Sequence, residues 1–337
     1  MDQKSVNLFF SFHSEDGCPL RARYSTDTTD CISLMNGIDL QKNDELQQIT
    51  LMSVGDTLPD TLELTLFAYR DAIGSGEESE PAAEFHFTIE YDPSFTAKGE
   101  TIPVGASFTL DGQTLLLDRA EIYPTHLRLN FDYDPANTAW LTELNFYLEN
   151  ERGERFNGIV NGISATGNPN DPSTDSVWLD SPYFSTGEHL TLHVTGASWI
   201  DKGQERVKVD LAKGMIEDPP QGVRLEWAEK RNAGWVVSFS AGARWEKTMH
   251  YQIWKSCFYD EDGTAHDIDQ RGVSDSPMIL GEISGAELES YEAAEKAAKE
   301  EGRYFETFGL KDYTADCVWL EPCWTRITDS TAQVVIK

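Results

Sequence analysis

In Leu127-Arg-Leu-Asn-Phe-Asp-Tyr133, apolar residues at 127, 129, 131 and 133 alternate with Arg128, Asn130 and Asp132. Successive side chains of a β-strand point to opposite faces, so this stretch sends one face to a core and the other to water. The same period recurs in Leu62, Leu64 and Leu66, in Leu190, Leu192 and Val194, in Val207, Val209 and Leu211, and in Trp235, Val237 and Phe239. It recurs again where Phe85, Phe87, Ile89 and Tyr91 alternate with His86, Thr88, Glu90 and Asp92, which predicts a core-facing aromatic row. Strands of parallel sheets are apolar on both faces, whereas one wet face belongs to antiparallel sandwiches. The predicted fold class is all-β.

An internal repeat sets the number of units. Phe10-Ser-Phe-His-Ser-Glu-Asp-Gly17, Phe146-Tyr-Leu-Glu-Asn-Glu-Arg-Gly153 and Phe258-Tyr-Asp-Glu-Asp-Gly263 each run an aromatic strand into an acidic turn that ends in glycine, the residue suited to positive φ. The first two are followed about 40 residues on by matching elements, Leu58–Leu66 and Thr186–Val194. The turn glycines lie 136 and 110 residues apart, close to the roughly 100-residue size of an immunoglobulin-like sandwich. Three tandem antiparallel immunoglobulin-like β-sandwiches are therefore expected, at residues 1–100, 101–215 and 216–337. Lys98–Pro103 and Lys213–Gly222 supply the expected linkers, and Gly74–Pro81 and Gly167–Asp175 read as surface loops. One short helix, 285–301, interrupts the third unit. Ser284-Gly-Ala-Glu287 is a capping box, Glu292 with Lys296 and Glu295 with Lys299 are favourable i, i+4 pairs, and Gly302 offers a stop. Leu288, Tyr291 and Ala298 give the helix a thin apolar stripe, enough to cap an edge or end of the sandwich.

Composition excludes several classes of partner. The 337 residues carry 58 acidic and 27 basic side chains, a net charge of −31, and phosphate-binding surfaces require the opposite sign. At 39% hydrophobic and 11% aromatic the chain is globular rather than disordered. No stretch reaches the roughly 18–20 consecutive apolar residues of a membrane-spanning helix, and no signal-peptide pattern opens the sequence. The apolar run Leu8-Phe-Phe-Ser-Phe12 begins close behind Met1, an abrupt start that predicts a chain taken from a longer polypeptide. The five cysteines, 18, 31, 257, 317 and 323, follow no CxxC spacing. Cys18 with Cys31, or two of the last three, offer disulfides; buried or free thiols are the favoured alternative.

The search for chemistry assigns no catalytic, cofactor-binding or metal residue. The chain lacks a G-x-S-x-G elbow, an H-E-x-x-H helix, a P-loop and a dinucleotide fingerprint. His189 and His193 share a strand face but stand roughly 13 Å apart, too far for two imidazoles to reach one ion. Asp132 to Asn137, Asn168 to Asp175 and Asp267 with Asp269 gather oxygen donors suited to calcium, yet the last has Arg271 and Met278 at EF-hand ligand positions. Asx-rich turns are the preferred reading of all three, with calcium the alternative. With 58 acids, some carboxylate pair will stand at glycosidase spacing by abundance alone. Nine Trp (140, 178, 199, 227, 235, 245, 254, 319 and 324) offer a stacking platform or, as the preferred reading, sandwich cores, with Trp235 and Trp254 the best fit to a core.

Ile102-Pro-Val-Gly-Ala-Ser-Phe-Thr-Leu-Asp-Gly-Gln113 and its continuation to Leu129, with Glu149–Gly153, Asn161–Ile163, Ser181-Pro-Tyr-Phe184, Trp199–Lys202 and Val209–Leu211, resembles the ectodomains of Gram-positive membrane proteins that carry domain of unknown function 4179. The similarity is strongest to the immunoglobulin-like domain of unknown function that follows in those proteins, and it covers roughly residues 55–215. The resemblance implies a single-pass protein whose cytoplasmic segment partners an extracytoplasmic-function sigma factor, with extracellular β domains beyond the membrane helix. This sequence departs from that plan in lacking the cytoplasmic and membrane segments, so no sigma-binding residues are assigned, and its third unit has no match there. The expectation is a non-enzymatic sensing or scaffolding region of an anti-sigma-factor-like regulator at the extracellular face of the cell membrane. It would engage an unknown extracellular ligand or protein and use no cofactor. A cell-surface adhesin or carbohydrate-binding protein is the alternative.

Overall fold

The three repeated turns adopt one conformation in the computed structural model. Gly17, Gly153 and Gly263 have φ of 70°, 77° and 80°, and each donates its N–H to the carbonyl three residues back, on Ser14, Asn150 and Asp260. In the second and third copies the side-chain oxygen of Asn150 or Asp260 also accepts two backbone N–H groups across the turn. A left-handed position that only glycine enters cheaply, together with an Asx or Ser residue that pins the loop, makes each turn self-contained. The structure describes residues 2, 4–17, 20–26, 31–37, 47–53, 58, 60–70, 80–90, 94, 96–158, 165–167, 172–231, 234–242, 252–276, 293 and 295–337.

The described residues are all-β, in antiparallel sheets, with one short helical segment. The first body comprises β1 (Ser5–Phe10), β2 (Leu20–Thr26), β3 (Cys31–Gly37), β4 (Gln47–Ser53), β5 (Thr61–Arg70) and β6 (Ala83–Glu90). They form two three-stranded sheets, β1-β4-β3 and β2-β5-β6, around a small core of Val6, Ile49, Leu51, Leu58, Leu62, Leu64 and Leu66.

The second body holds β7 (Glu100–Leu110), β8 (Gln113–Ile122), β9 (Leu127–Tyr133), β10 (Ala139–Asn150), β11 (Arg155–Asn157), β12 (Ala165–Gly167), β13 (Thr174–Leu179) and β14 (Leu190–Asp201). Asp111 and Gly112, at φ 51° and 77°, make the two-residue connection from β7 to β8, as an Asp-Gly hairpin turn with positive φ at both positions does. The expected loop ending at Asp175 is shorter, since β13 already begins at Thr174.

The third body is built from β15 (Val207–Asp210), β16 (Met215–Ile216), β17 (Arg224–Arg231), β18 (Gly234–Ala241), β19 (Trp254–Tyr259), β20 (Ala265–Asp267), β21 (Asp269–Ser274), β22 (Tyr304–Lys311) and β23 (Cys317–Pro322). Its sheets are β16-β15-β23-β19-β20 and β17-β18-β22-β21. The helix expected at 285–301 is described at 293 and 295–300; Ser284 to Glu292 lie outside the described residues. It stops at Gly302, φ 60°, where the N–H groups of Gly302 and Arg303 return to the carbonyls of Lys299 and Ala298, the hydrogen-bond pattern of a glycine C-cap.

The last two strands, β24 (Arg326–Thr328) and β25 (Ala332–Val335), leave the third body and pair with β14 in the second. The sheet β11-β10-β14-β24, with β25 also on β14, thus faces β12-β13-β9-β8-β7, and Val334 and Ile336 are buried in the second body's core. Strand pairing therefore divides the chain elsewhere than at 215/216. Residues 207–322 form the third body, inserted between β14 and the returning C-terminus. Val207, Val209 and Leu211 belong to the third core, and the expected linker at Lys213–Gly222 contains β16, the second strand of that body's β15–β16 hairpin, reached through Gly214 at φ 64°. Turn residues mark a hairpin and a linker alike, and alternation shows that a strand is half-buried without naming its sheet.

The return is close-fitting. A Cβ on Gly196 would lie 2.7 Å from the carbonyl oxygen of Thr328, so β14 needs glycine where β24 passes. Asp111 accepts hydrogen bonds from Trp199 Nε1 at 2.9 Å and from the hydroxyls of Thr328 and Ser330. Burial alone would raise this carboxyl's pKa, but those three bonds, with Arg326 nearby, hold it below its ordinary value.

Residues 96–205 produced alone are therefore expected to lack a cooperative urea transition. Rejoining them to 324–337 through a short Gly-Ser linker should restore it, a result that far-UV circular dichroism reads directly. In the full chain, Gly196→Ala should cost about 1–3 kcal/mol, as overpacking against fixed backbone does.

Candidate functional site

Beyond β1 the chain runs as Ser11-Phe-His-Ser-Glu-Asp-Gly17 across the end of the β2-β5-β6 sheet and encloses a groove of about 560 Å³. Phe12, His13, Asp16, Arg70 and Phe85 are among the residues that line it. Its aromatic wall is continuous: the Phe12 ring lies 5.4 Å from Phe10 and 5.6 Å from Phe85, nearly parallel to the latter at 24°. Its polar side is an ion pair, Arg70 Nη1 to Asp16 Oδ2 at 2.6 Å, with both side chains about half exposed. An apolar wall beside a fixed pair of opposite charges is the pattern of a ligand groove that reads shape and one polar contact.

Phe85 and Phe87 extend this wall along β6. Their β5 partners are Leu66 and Leu64, which are 4% exposed, whereas Phe85 is 42% and Phe87 45% exposed. The row expected to face a core does point to the core side, but at this edge strand the core is left uncovered. Alternation specifies a face; whether another layer covers it depends on what packs over the edge strand from elsewhere in the chain.

A second cluster joins the first and second bodies. Asp2 is fully buried, and its carboxylate accepts the N–H groups of Lys4 and Ser5 at 2.9 and 2.8 Å, and the N–H and hydroxyl of Thr125 at 3.2 and 2.6 Å. Because the Thr125 hydroxyl donates to Asp2, it accepts from His126 Nδ1 at 2.8 Å, which places the imidazole proton on Nδ1. Nε2 is buried without a hydrogen-bond partner among the described residues, and the ring lies between Tyr123 and Trp178, with centroids 5.1 and 4.8 Å away. Burial pushes His126 down to about 4, against the opposing pull of Asp2 and Glu121.

A buried acid marks the third body. Glu306 accepts the N–H groups of Ile253 and Trp254, and Arg271 Nε stands 3.0 Å from its other oxygen. Arg271 also donates to the carbonyls of Trp254 and Lys255, so the pair clamps the start of β19, where the register with β23 is irregular. Burial raises Glu306 to about 7. Its nearest described charge is the Arg271 guanidinium, an arrangement suited to holding backbone.

The histidines and acidic turns noted in the sequence have structural partners. His193 stacks on Tyr147 at 4.8 Å and 5°, and the Arg155 guanidinium lies 4.2 Å from the centroid of the same Tyr147 ring. His189 donates its backbone N–H to Glu151, whose carboxylate is held down at about 2 by that bond and by the N–H of Glu188. In Asp132 to Asn137, Asp134 caps Ala136, and Asn137 exchanges hydrogen bonds with the backbone of Thr114. Asn168 to Asp171 lie outside the described residues. Among the described residues no group of three or more His, Cys, Asp or Glu is placed to hold a metal ion.

Trp178, Trp199, Trp235, Trp254 and Trp324 are buried, Trp140, Trp227 and Trp319 are half-buried, and Trp245 lies outside the described residues. Cys257, Cys317 and Cys323 are free thiols, and Cys18 lies outside the described residues. No described helix is long and apolar enough to cross a membrane.

Residues 99–225 match a family of unknown function, DUF5643; the match runs from the start of the second body to the first residues of β17. No curated protein matches the chain. Among solved structures, the crystal structure of the conserved domain protein from Bacillus anthracis is similar at 13% identity, over 64% of this chain and 76% of that one, with a TM-score of 0.41.

The two buried titrating groups give opposite pH dependences. His126, depressed from 6.5 to about 4, stabilises the fold fully above pH 6.5, and that contribution is lost as pH falls towards 4. Glu306, raised from 4.5 to about 7, makes the folded state bind the extra proton, so its contribution grows as pH falls from 7 to 4.5. Urea unfolding between pH 7.5 and 4.5 should show a shallower acid loss in His126→Gln than in the unmodified chain, and a steeper one in Glu306→Gln.

Proposed function

We propose that this chain is a non-catalytic sensing or scaffolding region of a membrane-anchored regulator, of the kind that partners an extracytoplasmic-function sigma factor, and that its first body makes the contact with ligand. The observation that carries the reading is the groove of the first body, where the Phe10, Phe12 and Phe85 rings adjoin the Arg70–Asp16 pair. The resemblance to ectodomains that carry domain of unknown function 4179 supports the regulator assignment. In this reading the membrane helix and the sigma-contacting segment would lie N-terminal to the β bodies, on the side of the first body. A ligand seated there would sit at the far end of β1 from the Asp2, Thr125 and His126 junction, the element that ties the N-terminus to the second body, with β1 itself running between the two. Extracellular exposure suits the net charge of −31, which solvates the outer strand faces.

The exposed rings of Phe85 and Phe87, with Phe9 at 58% exposure, favour a second reading, a surface adhesin or carbohydrate-binding protein that stacks its ligand on aromatic rings.

In the full-length gene product, Arg70→Ala should reduce stimulus-dependent output of a sigma-factor reporter at least fivefold, while Lys213→Ala leaves it unchanged. Unaltered output after removal of the entire β region would overturn the regulator reading. Glycan capture that is lost in Phe87→Ala would install the adhesin in its place.

A further inference from the structure

The edge strand β6 combines three features that natural sheet edges avoid. Among the described residues it pairs only with β5, and it does so in unbroken register over eight residues, Thr61 to Ala68 against Glu90 to Ala83, without a bulge. Its sequence, Ala-Glu-Phe-His-Phe-Thr-Ile-Glu, contains neither lysine nor proline. Two of its residues, Phe85 and Phe87, are large apolar side chains left 42% and 45% exposed on the core side. Edges are ordinarily blunted by Lys, Pro or bulges because their open N–H and C=O groups template a further strand. Among the described residues each sheet of the first body has three strands, and the core packed between them ends at β6.

The chemistry of the two faces defines what completes it. On the core side an added strand must cover Phe85 and Phe87, which calls for apolar residues at alternate positions. On the outer side it meets Glu84 and Glu90 on β6, with Glu63 beside them on β5, which calls for cations at the intervening positions. A second copy of the chain brings the same acidic strand, and residues 1–100 carry 19 acidic against 6 basic side chains; pairing β6 on β6 about Phe87 would set Glu84 against Glu90, a destabilising like-charge pair.

We propose that β6 is a strand-addition site whose partner is an extended polypeptide segment alternating apolar and basic residues. Main-chain hydrogen bonds supply the affinity, and the Phe85 and Phe87 rings and the flanking acids supply the selectivity. The proposal deepens the reading of the first body as the ligand-contacting end and rests on it.

The test uses the full chain and a fluorescein-labelled peptide of four Lys-Val repeats, read by anisotropy at 50 and 300 mM salt and by hydrogen exchange. The expected result is saturable binding that weakens with salt, with new protection in residues 83–90. A Glu-Val peptide of the same length, and a Lys-Val peptide N-methylated at alternate amides, should each bind at least tenfold more weakly. Glu84→Lys with Glu90→Lys should reverse the preference between the Lys-Val and Glu-Val peptides, and Phe87→Ala should weaken binding at least fivefold. Should a variant misfold, exchange on the unmodified chain still decides the matter, since protection must appear in 83–90.

Equal binding of the N-methylated peptide, protection elsewhere, no binding at all, or self-association through β6 without peptide binding each overturn the proposal. Loss of reporter output in Arg70→Ala without peptide binding overturns strand addition and leaves the sensing reading in place.

Discussion

The second body is closed by the end of the chain, and the carboxylate of Asp111 fixes that closure. Asp111 lies in the Asp-Gly turn between β7 and β8, yet its oxygens are taken by Trp199 on β14 and by Thr328 and Ser330 more than 200 residues downstream. Pairing β24 and β25 with β14 closes a loop that contains residues 207–322, and the folded third body, by holding its two ends together, lowers the entropic cost of that closure. The same geometry gives the third body two covalent attachments to the second, side by side. Thr325 donates its N–H to Trp199 O at 2.6 Å, the Thr325 hydroxyl accepts from Asp201 N at 2.8 Å, and Arg326 pairs with Asp201 at 2.8 Å. A single linker permits swivel, whereas two adjacent strands that are hydrogen-bonded to each other oppose it.

Most of the fold class was legible because the signal for a half-wet strand is local. Alternation at Leu127 to Tyr133 needs no knowledge of the partner strand, and the three glycine turns follow from φ preferences within four residues. The division into bodies was less legible for the same reason. Val207, Val209 and Leu211 look like any other half-buried strand, and nothing within ten residues tells whether they join β14's sheet or β23's. The C-terminal Ala332-Gln-Val-Val335 reads as a strand too, but its place in the second body rests on contacts with Leu192 and Val194, far outside any local window.

The candidate site was legible in kind and not in exposure. Phe85 and Phe87 announce a face, and the sequence correctly puts them on the side of Leu64 and Leu66. Their exposure depends on what packs over the edge strand from elsewhere in the chain, which local pattern does not encode. The buried polar groups illustrate a further limit. Glu306 lies between Phe305 and Phe308 in a strand where an alternating reader expects a core residue, and its acceptance there depends on Arg271 and on two backbone N–H groups of a distorted strand start. A buried carboxylate without those partners would cost several kcal/mol, so the acid at 306 and the irregular start of β19 require each other.

The contrast among the bodies bears on where binding falls. The second and third bodies each oppose two sheets of four or five strands and bury large continuous cores; among their described residues the exposed aromatic pair is Tyr183 with Phe184, outside any strand, while Trp140 under Lys202 and Tyr259 under Arg206 are stacked with cations of the same chain. Among the described residues the first body opposes three strands to three, and its aromatic row stays exposed along β6. A partner strand on β6, as proposed, would couple folding free energy and binding free energy in one element, because it would add apolar burial over Phe85 and Phe87 at an edge the described residues leave open.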